Sequence, residues 1–333
     1  LIYYSYDENK LALNNEPIGV FGIQLDFDFP TSYFSHKKLN LTQYDLNLSQ
    51  YSIKEKRILY DVTRSFYHYL YVIEKEKLFM QLDSLYQDFS KIAERRFELG
   101  ETNYLEKIIS QSKQKQIHIN LSEVQRDVKI AYHHLQRVVQ SEDSIIINPE
   151  PISKLSQLDF SIDTSPEIQY FENKASLLEA KKKLEAQKLL PDISFNYFQG
   201  TNSGINRNFI GYQFGLKIPI LFNAQSARIK SAKIDQNIVD EESKEYEISL
   251  VTKQRTLSNL LIQQAKALEY FEKEGKLLSD EIIKTSKSSF NNGEIDFFQY
   301  ILSIDNAYEI QVNHLEKLND YNQTIIKLNY LTI

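Results

Sequence analysis

Hydrophobic positions along this chain follow two rhythms. From Phe21 to Phe29 apolar and polar residues alternate strictly, with Phe21, Ile23, Leu25, Phe27 and Phe29 on one side and Gly22, Gln24, Asp26 and Asp28 on the other. A period of two predicts a strand with one apolar face. The pattern returns from Ile210 to Ile218, where Ile210, Tyr212, Phe214, Leu216 and Ile218 oppose Gly211, Gln213, Gly215 and Lys217. Each run has about 9 residues, the length of a tilted strand that crosses a membrane. Shorter alternating runs precede them at Ile2, Tyr4 and Tyr6 and at Ile193, Phe195 and Tyr197. The connections, Glu8–Ile18 and Gly200–Asn208, are polar and Asn-rich, so each zone predicts a β-hairpin.

The second rhythm is helical. Ile117, Leu121, Val124, Val128, Ala131, Leu135 and Val138 step by fours and threes, as do Leu78, Leu82, Leu85, Phe89 and Ile92, and Leu41, Tyr44, Leu48 and Tyr51. That spacing keeps one seam against a neighbouring helix and predicts helix-packing core. Residues 31–99 contain neither Gly nor Pro. As one helix they would span on the order of 100 Å. Residues 101–148 and 294–333 are also free of both, and 220–292 is interrupted only by Gly275. Such lengths point to coiled-coil architecture rather than a compact globule.

Composition sharpens this outline. In 333 residues there are 9 Gly, 7 Pro and no Cys, with 39 Lys+Arg against 45 Asp+Glu for a net charge of −6. So few breakers exclude turn-rich folds. The absence of Cys excludes a disulfide scaffold, thiol catalysis and Cys–zinc sites, and the mild negative charge leaves no footprint for nucleic acid. No apolar run reaches the roughly 20 residues of a membrane-spanning helix, a test to which a β-barrel is blind.

The breakers also reveal a repeat. Gly22–Pro30 resembles Gly211–Pro219, and Phe97–Glu101 resembles Phe290–Glu294. Each half, 1–138 and 166–333, reads strand, loop, strand, Pro, long helix, Gly turn and returning helix. The domain outline is a first hairpin at 1–30, a first helical hairpin at 31–138 with its tip near Gly100, and a segment at 139–165. A helix at 166–190, a second β-hairpin at 191–219 and a second helical hairpin at 220–333 with its tip near Gly293 follow. Ser165 and Pro166 read as an N-cap and a first helical residue. The first half lacks an equivalent of the 166–190 helix, which predicts a further helix upstream of Leu1 in a mature form or fragment.

Three segments carry a family resemblance: Leu190-Pro191-Asp192-Ile193-Ser194, Gly215 through Asn223 (GLKIPILFN), and Arg96-Phe97-Glu98-Leu99-Gly100 followed by Leu105. With them the chain resembles the TolC-type outer-membrane efflux factors over essentially its whole length. Gln24–Tyr33 and Arg96–Glu106 look most like the subgroup associated with heavy-metal efflux. The resemblance implies a fold that is mainly α with β, in which three chains each give four strands to a 12-stranded barrel in the bacterial outer membrane. The long helices would form a cylinder through the periplasm, with residues 139–165 as an equatorial patch around it. It implies a conduit and not an enzyme, with no cofactor. Its partners would be a periplasmic adaptor, an inner-membrane pump of the resistance-nodulation-division class, and outer-membrane lipid. Cargo would be small toxic solutes or metal cations.

Site residues follow from the same resemblance. The barrel's lipid face is Phe21, Ile23, Leu25, Phe27, Ile210, Tyr212, Phe214 and Leu216, and its lumen face Gln24, Asp26, Asp28, Gln213 and Lys217. The periplasmic tips, where an adaptor would dock, are Arg96, Gly100, Glu101, Gly293 and Glu294. Family members carry an acidic residue six places after the tip glycine, facing the pore; here those positions are Glu106 and Gln299. A ring of Glu106 carboxylates would concentrate cations; the plainer alternative is a solvated helix-surface residue. His133 and His134 are adjacent on a helix and point about 100° apart, so they do not converge on a metal. No GxGxxG, P-loop or GxSxG occurs. The competing readings are a soluble coiled-coil spacer, which has no use for two aromatic hairpins, and a protein-secretion exit duct of the same family.

Overall fold

The computed structural model describes the chain except for residues 8–16, 149, 159–164, 203–206, 220–221 and 332–333. The expected hairpin loop 8–16, Gly204, Pro149, Thr164 and Ile220-Leu221 therefore lie outside the described residues. The elements run β1 (Ile2–Asp7), β2 (Ile18–Phe27), α1 (Pro30–Glu98), α2 (Tyr104–Val139), α3 (Pro166–Gln187), β3 (Asp192–Asn202) and β4 (Arg207–Lys217). After these come α4 (Asn223–Tyr270), a π-turn (Phe271–Gly275), α5 (Lys276–Asn291) and α6 (Phe297–Tyr330). They fall into two units, residues 1–53 with 162–247 and residues 54–161 with 248–333.

In the first unit the four strands form one antiparallel sheet in the order β1-β2-β3-β4. The two hairpins join through β2 and β3, which pair from Ile18↔Asn202 to Phe27↔Ile193. This central pairing lengthens β3 to 11 residues, beyond the short alternating run in its sequence. β1 has a partner on one side only and stops at 6 residues. β2 ends at Phe27, so Asp28 and Phe29 are not strand residues as the alternation suggests. Pro30 has no N–H to give a ladder and opens α1 instead. Asp28 lies in that turn, its carboxylate 3.9 Å from His36.

α3 and the starts of α1 and α4 belong to the same unit. Here one sequence expectation fails. Leu41, Tyr44, Leu48 and Tyr51 are exposed, at 51 to 65%, and the buried face of α1 is Thr42, Leu46 and Ser49. Small polar residues allow α3 close approach: Asn173 Nδ2 donates to the Asp45 carbonyl at 3.2 Å and to Ser49 Oγ at 3.1 Å. Thr42 and Ser49 return their own hydroxyl protons to the preceding turn of α1, so their burial leaves no orphaned group. The heptad seam thus faces outward and is exposed among the described residues.

In the second unit α1, α2, α5 and α6 bury a core of Leu78, Leu82, Tyr86, Phe89, Ile117, Tyr300 and Ile304 among others. The stripe on α2 is buried at Ile117, Leu121, Val124, Ala131 and Leu135. Ile92 is an exception on α1, half exposed, while Ala93 takes the buried place. α2 ends at Gln140, which adopts φ 57° and closes the helix with N–H bonds to the Arg137 and Gln136 carbonyls. α3 ends at Gln187 rather than Leu190, because the residues before Pro191 leave the helical region in tight turns. Gly275 does not end the α4–α5 helix; it sits in the one-turn π-bulge against Phe271 and Ile310. No described helix is long and apolar enough to cross a membrane.

Candidate functional site

The two helical tips are built alike. Gly100 and Gly293 both have φ +73°, a conformation in which a side chain would be strained. At the first, Gly100 N–H donates to the Phe97 carbonyl and Glu101 N–H to that of Arg96; at the second, Gly293 and Glu294 donate to Phe290 and Ser289. Three residues after each glycine stands an N-cap. Asn103 Oδ1 accepts from Glu106 N–H at 2.9 Å, and Asp296 Oδ1 accepts from Gln299 N–H at 2.8 Å. The spacing of six from the tip glycine therefore marks the third residue of the returning helix.

The copies differ in what that residue does next. Gln299 Oε1 accepts from Asp296 N–H at 3.0 Å and completes a capping box. Glu106 is 8% exposed, and its carboxylate accepts from Arg96 Nη1 at 3.2 Å and from the Thr102 hydroxyl. Arg96 also lies 4.0 Å from Glu101. Arg96, Glu106, Gly293, Glu294 and Gln299 line one open pocket of about 770 Å³ between the tips, whereas Gly100 and Glu101 stand outside its lining. Phe290 and Phe297 supply its aromatic lining, and behind it Phe290 stacks on Tyr300 at 4.8 Å, with Phe89 4.5 Å from the same ring.

Farther along the helices is a cluster that sequence reasoning missed. Asp305 on α6 accepts from the Tyr86 hydroxyl of α1 at 2.5 Å and from Lys113 Nζ of α2 at 2.7 Å. One carboxylate so ties three helices together. Burial, then the Asp305 charge and hydrogen bond, push the Tyr86 hydroxyl well above the usual tyrosine range. Nothing in the local sequence marks Asp305, because its partners lie 219 and 192 residues away.

The sheet has two unlike faces. Cross-strand register puts Phe21, Ile23, Leu25 and Phe27 on the same face as Ile210, Tyr212, Phe214 and Leu216. This face is exposed, up to 78% at Phe214, and its rings contact one another, as Phe195 and Phe214 do at 5.1 Å. Gln24, Asp26, Gln213 and Lys217 share the other face. Three aromatic residues also occupy that polar face, each opposite a glycine: Tyr3 with Gly22, Phe198 with Gly211 and Phe209 with Gly200. Each ring lies over its glycine so closely that a Cβ there would overlap ring carbons. Tyr3 reaches across β2 to Asn196, whose Nδ2 donates to its hydroxyl at 3.0 Å. The alternation pattern contains these aromatics, but only the register pairs them with glycines.

No protein-family model and no characterised protein sequence matches the chain. Solved structures do. The Campylobacter jejuni CmeC outer-membrane channel aligns at a TM-score of 0.82 with 11% identity, over 99% of this chain and 76% of CmeC. CusC, described with a transmembrane channel, aligns at 0.80 with 13% identity over 98% of this chain and 81% of its own. The open state of the Neisseria gonorrhoeae MtrE outer-membrane channel aligns at 0.78 with 12% identity over 99% of this chain and 78% of MtrE. The chain therefore has the fold of the TolC-type outer-membrane channels.

Proposed function

We propose that this chain is one subunit of an outer-membrane efflux channel. The observation that carries this reading is the sheet. One face is mostly apolar and exposed, the other mostly polar, and among the described residues both outer strands, β1 and β4, pair on one side only. In lipid an open edge leaves backbone N–H and C=O groups without partners, so such a sheet must close with copies of itself. Three copies supply 12 strands in a homotrimeric barrel. The apolar face then meets lipid, and Gln24, Asp26, Gln213 and Lys217 line the lumen.

The outward seam of Leu41, Tyr44, Leu48 and Tyr51 supports the same assembly, since it offers apolar area to a neighbouring subunit. The tips around Arg96, Gly100, Glu101, Gly293 and Glu294 would meet a periplasmic adaptor, and through it an inner-membrane pump of the resistance-nodulation-division class. Cargo would be a small toxic solute; the likenesses single out no heavy-metal subgroup.

The test is extraction followed by bilayer recording. The full chain should fractionate with outer membranes, require detergent, run at three times the chain mass and open steady conductances in planar bilayers. Replacing Tyr44 and Leu48 by Glu should shift the detergent-solubilised mass toward one chain. A protein that remains soluble and monomeric without detergent would refute the channel reading.

A further inference from the structure

In the second unit, α1, α2 and α6 enclose an open groove of about 1080 Å³. Its wall is unusually basic. Arg57 and Arg64 stand two turns apart on one side of α1, about 10.5 Å along its axis. Arg137 of α2 and Lys327 of α6 face them across the groove. None of these four side chains has a hydrogen bond or ion pair among the described residues. The other charges of the lining are largely accounted for. Lys75 binds Glu316 at 3.2 Å, and Asp127 sits 3.3 Å from Arg126. Asp61 and, in part, Asp127 oppose the four cations.

Two further features mark the groove as built. Ser65 and His134 Nδ1 meet at 3.0 Å and join α1 to α2 along its wall. Asn319 also lines the groove, and its Oδ1 is buried with no hydrogen-bond partner among the described residues. His68, also in the lining, is held below the usual histidine range by burial, then by Arg64 and His134, with Asp127 opposing the shift. Segment 153–158 does not cover the groove, because it binds α6 through Asn322 and Asn329, and the groove is lined instead by Asn319, Gln323 and Lys327.

We propose that this groove binds a small multivalent oxyanion, bearing phosphate or carboxylate groups, between Arg57, Arg64, Arg137 and Lys327. The guanidinium forks match the paired oxygens of either group. The spread of the cations suits a chain of two or three charged groups better than one. Apolar Ile58 and Ile130 in the same lining leave room for an organic body. This site goes beyond the channel reading and does not depend on it.

The experiment is calorimetric titration of the detergent-solubilised full chain, in one arm with tripolyphosphate and in the other with citrate. Saturable binding near one ion per chain is expected in at least one arm, and the tighter arm identifies the chemistry. Arg64→Gln with Arg137→Gln should weaken it by roughly tenfold or more, as loss of two charge-assisted contacts requires. Lys181→Gln with Lys183→Gln on α3 should leave it unchanged. Circular dichroism and melting of the Gln variants verify their folding; Arg64→Lys with Arg137→Lys serves if they fail, with weaker binding expected from the loss of the forks. Absence of saturable binding in both arms, or equal binding by the groove and α3 variants, overturns the proposal. Neither result touches membrane extraction or conductance, so the channel reading stands or falls separately.

Discussion

Asn322 of α6 holds Leu155 in place as a strand would: its Oδ1 accepts the Leu155 N–H at 2.9 Å while its Nδ2 donates to the Ser153 carbonyl at 2.8 Å. Seven residues on, Asn329 repeats the arrangement with Leu158 N–H and the Ser156 carbonyl. Seven helical residues rise about 10.5 Å, and three extended residues cover about 10 Å. The two periods coincide, so a helix can serve as the partner of an extended segment. Replacing Asn322, which is fully buried, by Leu should cost about 2–3 kcal/mol, because two backbone groups lose their partners. Urea unfolding measures this, and limited proteolysis should cut first within residues 150–158.

Tyr86 makes the protein sensitive to base. Burial and Asp305 raise its folded ionisation above the unfolded value of about 10. The folded state therefore retains a proton that the unfolded state releases, and stability present below pH 10 is lost as pH rises beyond it. Tyr86→Phe should lower the melting temperature at pH 8 by removing a hydrogen bond. It should also shrink the further fall between pH 8 and pH 11. Parallel melts of the two proteins decide this.

His314 acts at the other end of the scale. It packs against Phe271 of the π-turn with ring centres 5.9 Å apart, and burial holds its ionisation below the ordinary 6.5. Glu272 opposes this shift and Lys276 adds to it. The unfolded chain takes up a proton that the folded one refuses, so stability is full above pH 6.5 and is lost as pH falls through the folded value. His314→Gln should melt with a smaller change between pH 7.5 and pH 5 than the parent.

Gly211 tests the wall of the sheet. Its place is filled by the Phe198 ring, so Gly211→Val forces that ring off the wall, at a cost of about 1–3 kcal/mol from overpacking. Within the channel reading the displaced ring enters the lumen. Reconstituted Gly211→Val should therefore show lower single-channel conductance than the parent, while Gly100→Val, in the other unit, should leave the barrel's heat stability on gels unchanged.

Arg96 tests the proposed constriction. With Arg96 at 3.2 Å, the Glu106 charge is largely compensated within its own hairpin. Arg96→Gln should therefore raise cation selectivity in bilayers, whereas Glu106→Gln should lower it and leave Arg96 uncompensated. Unchanged reversal potentials in both variants would remove Glu106 from the pore.

The amino-acid sequence by itself determined the elements and their order. A period of two over Phe21–Phe27 and Ile210–Leu216, unbroken tracts over α1 and α2, and glycines at the left-handed positions 100 and 293 are local facts, set by backbone sterics and side-chain alternation. What only the tertiary structure decided depends on which residues meet at long range. The stripe at Leu41, Tyr44, Leu48 and Tyr51 has the spacing of a buried seam, yet α3 takes the Thr42–Ser49 face and leaves it outside. The tip residues Glu106 and Gln299 hold equal places in the repeat, yet one answers to Arg96 and the other to its own N-cap. Asp305, the asparagine pair on α6 and the cations of the groove have no local signature at all. Hydrophobic spacing is carried by each helix alone, but the partner of a charge or a carboxamide is chosen only when the helices have packed.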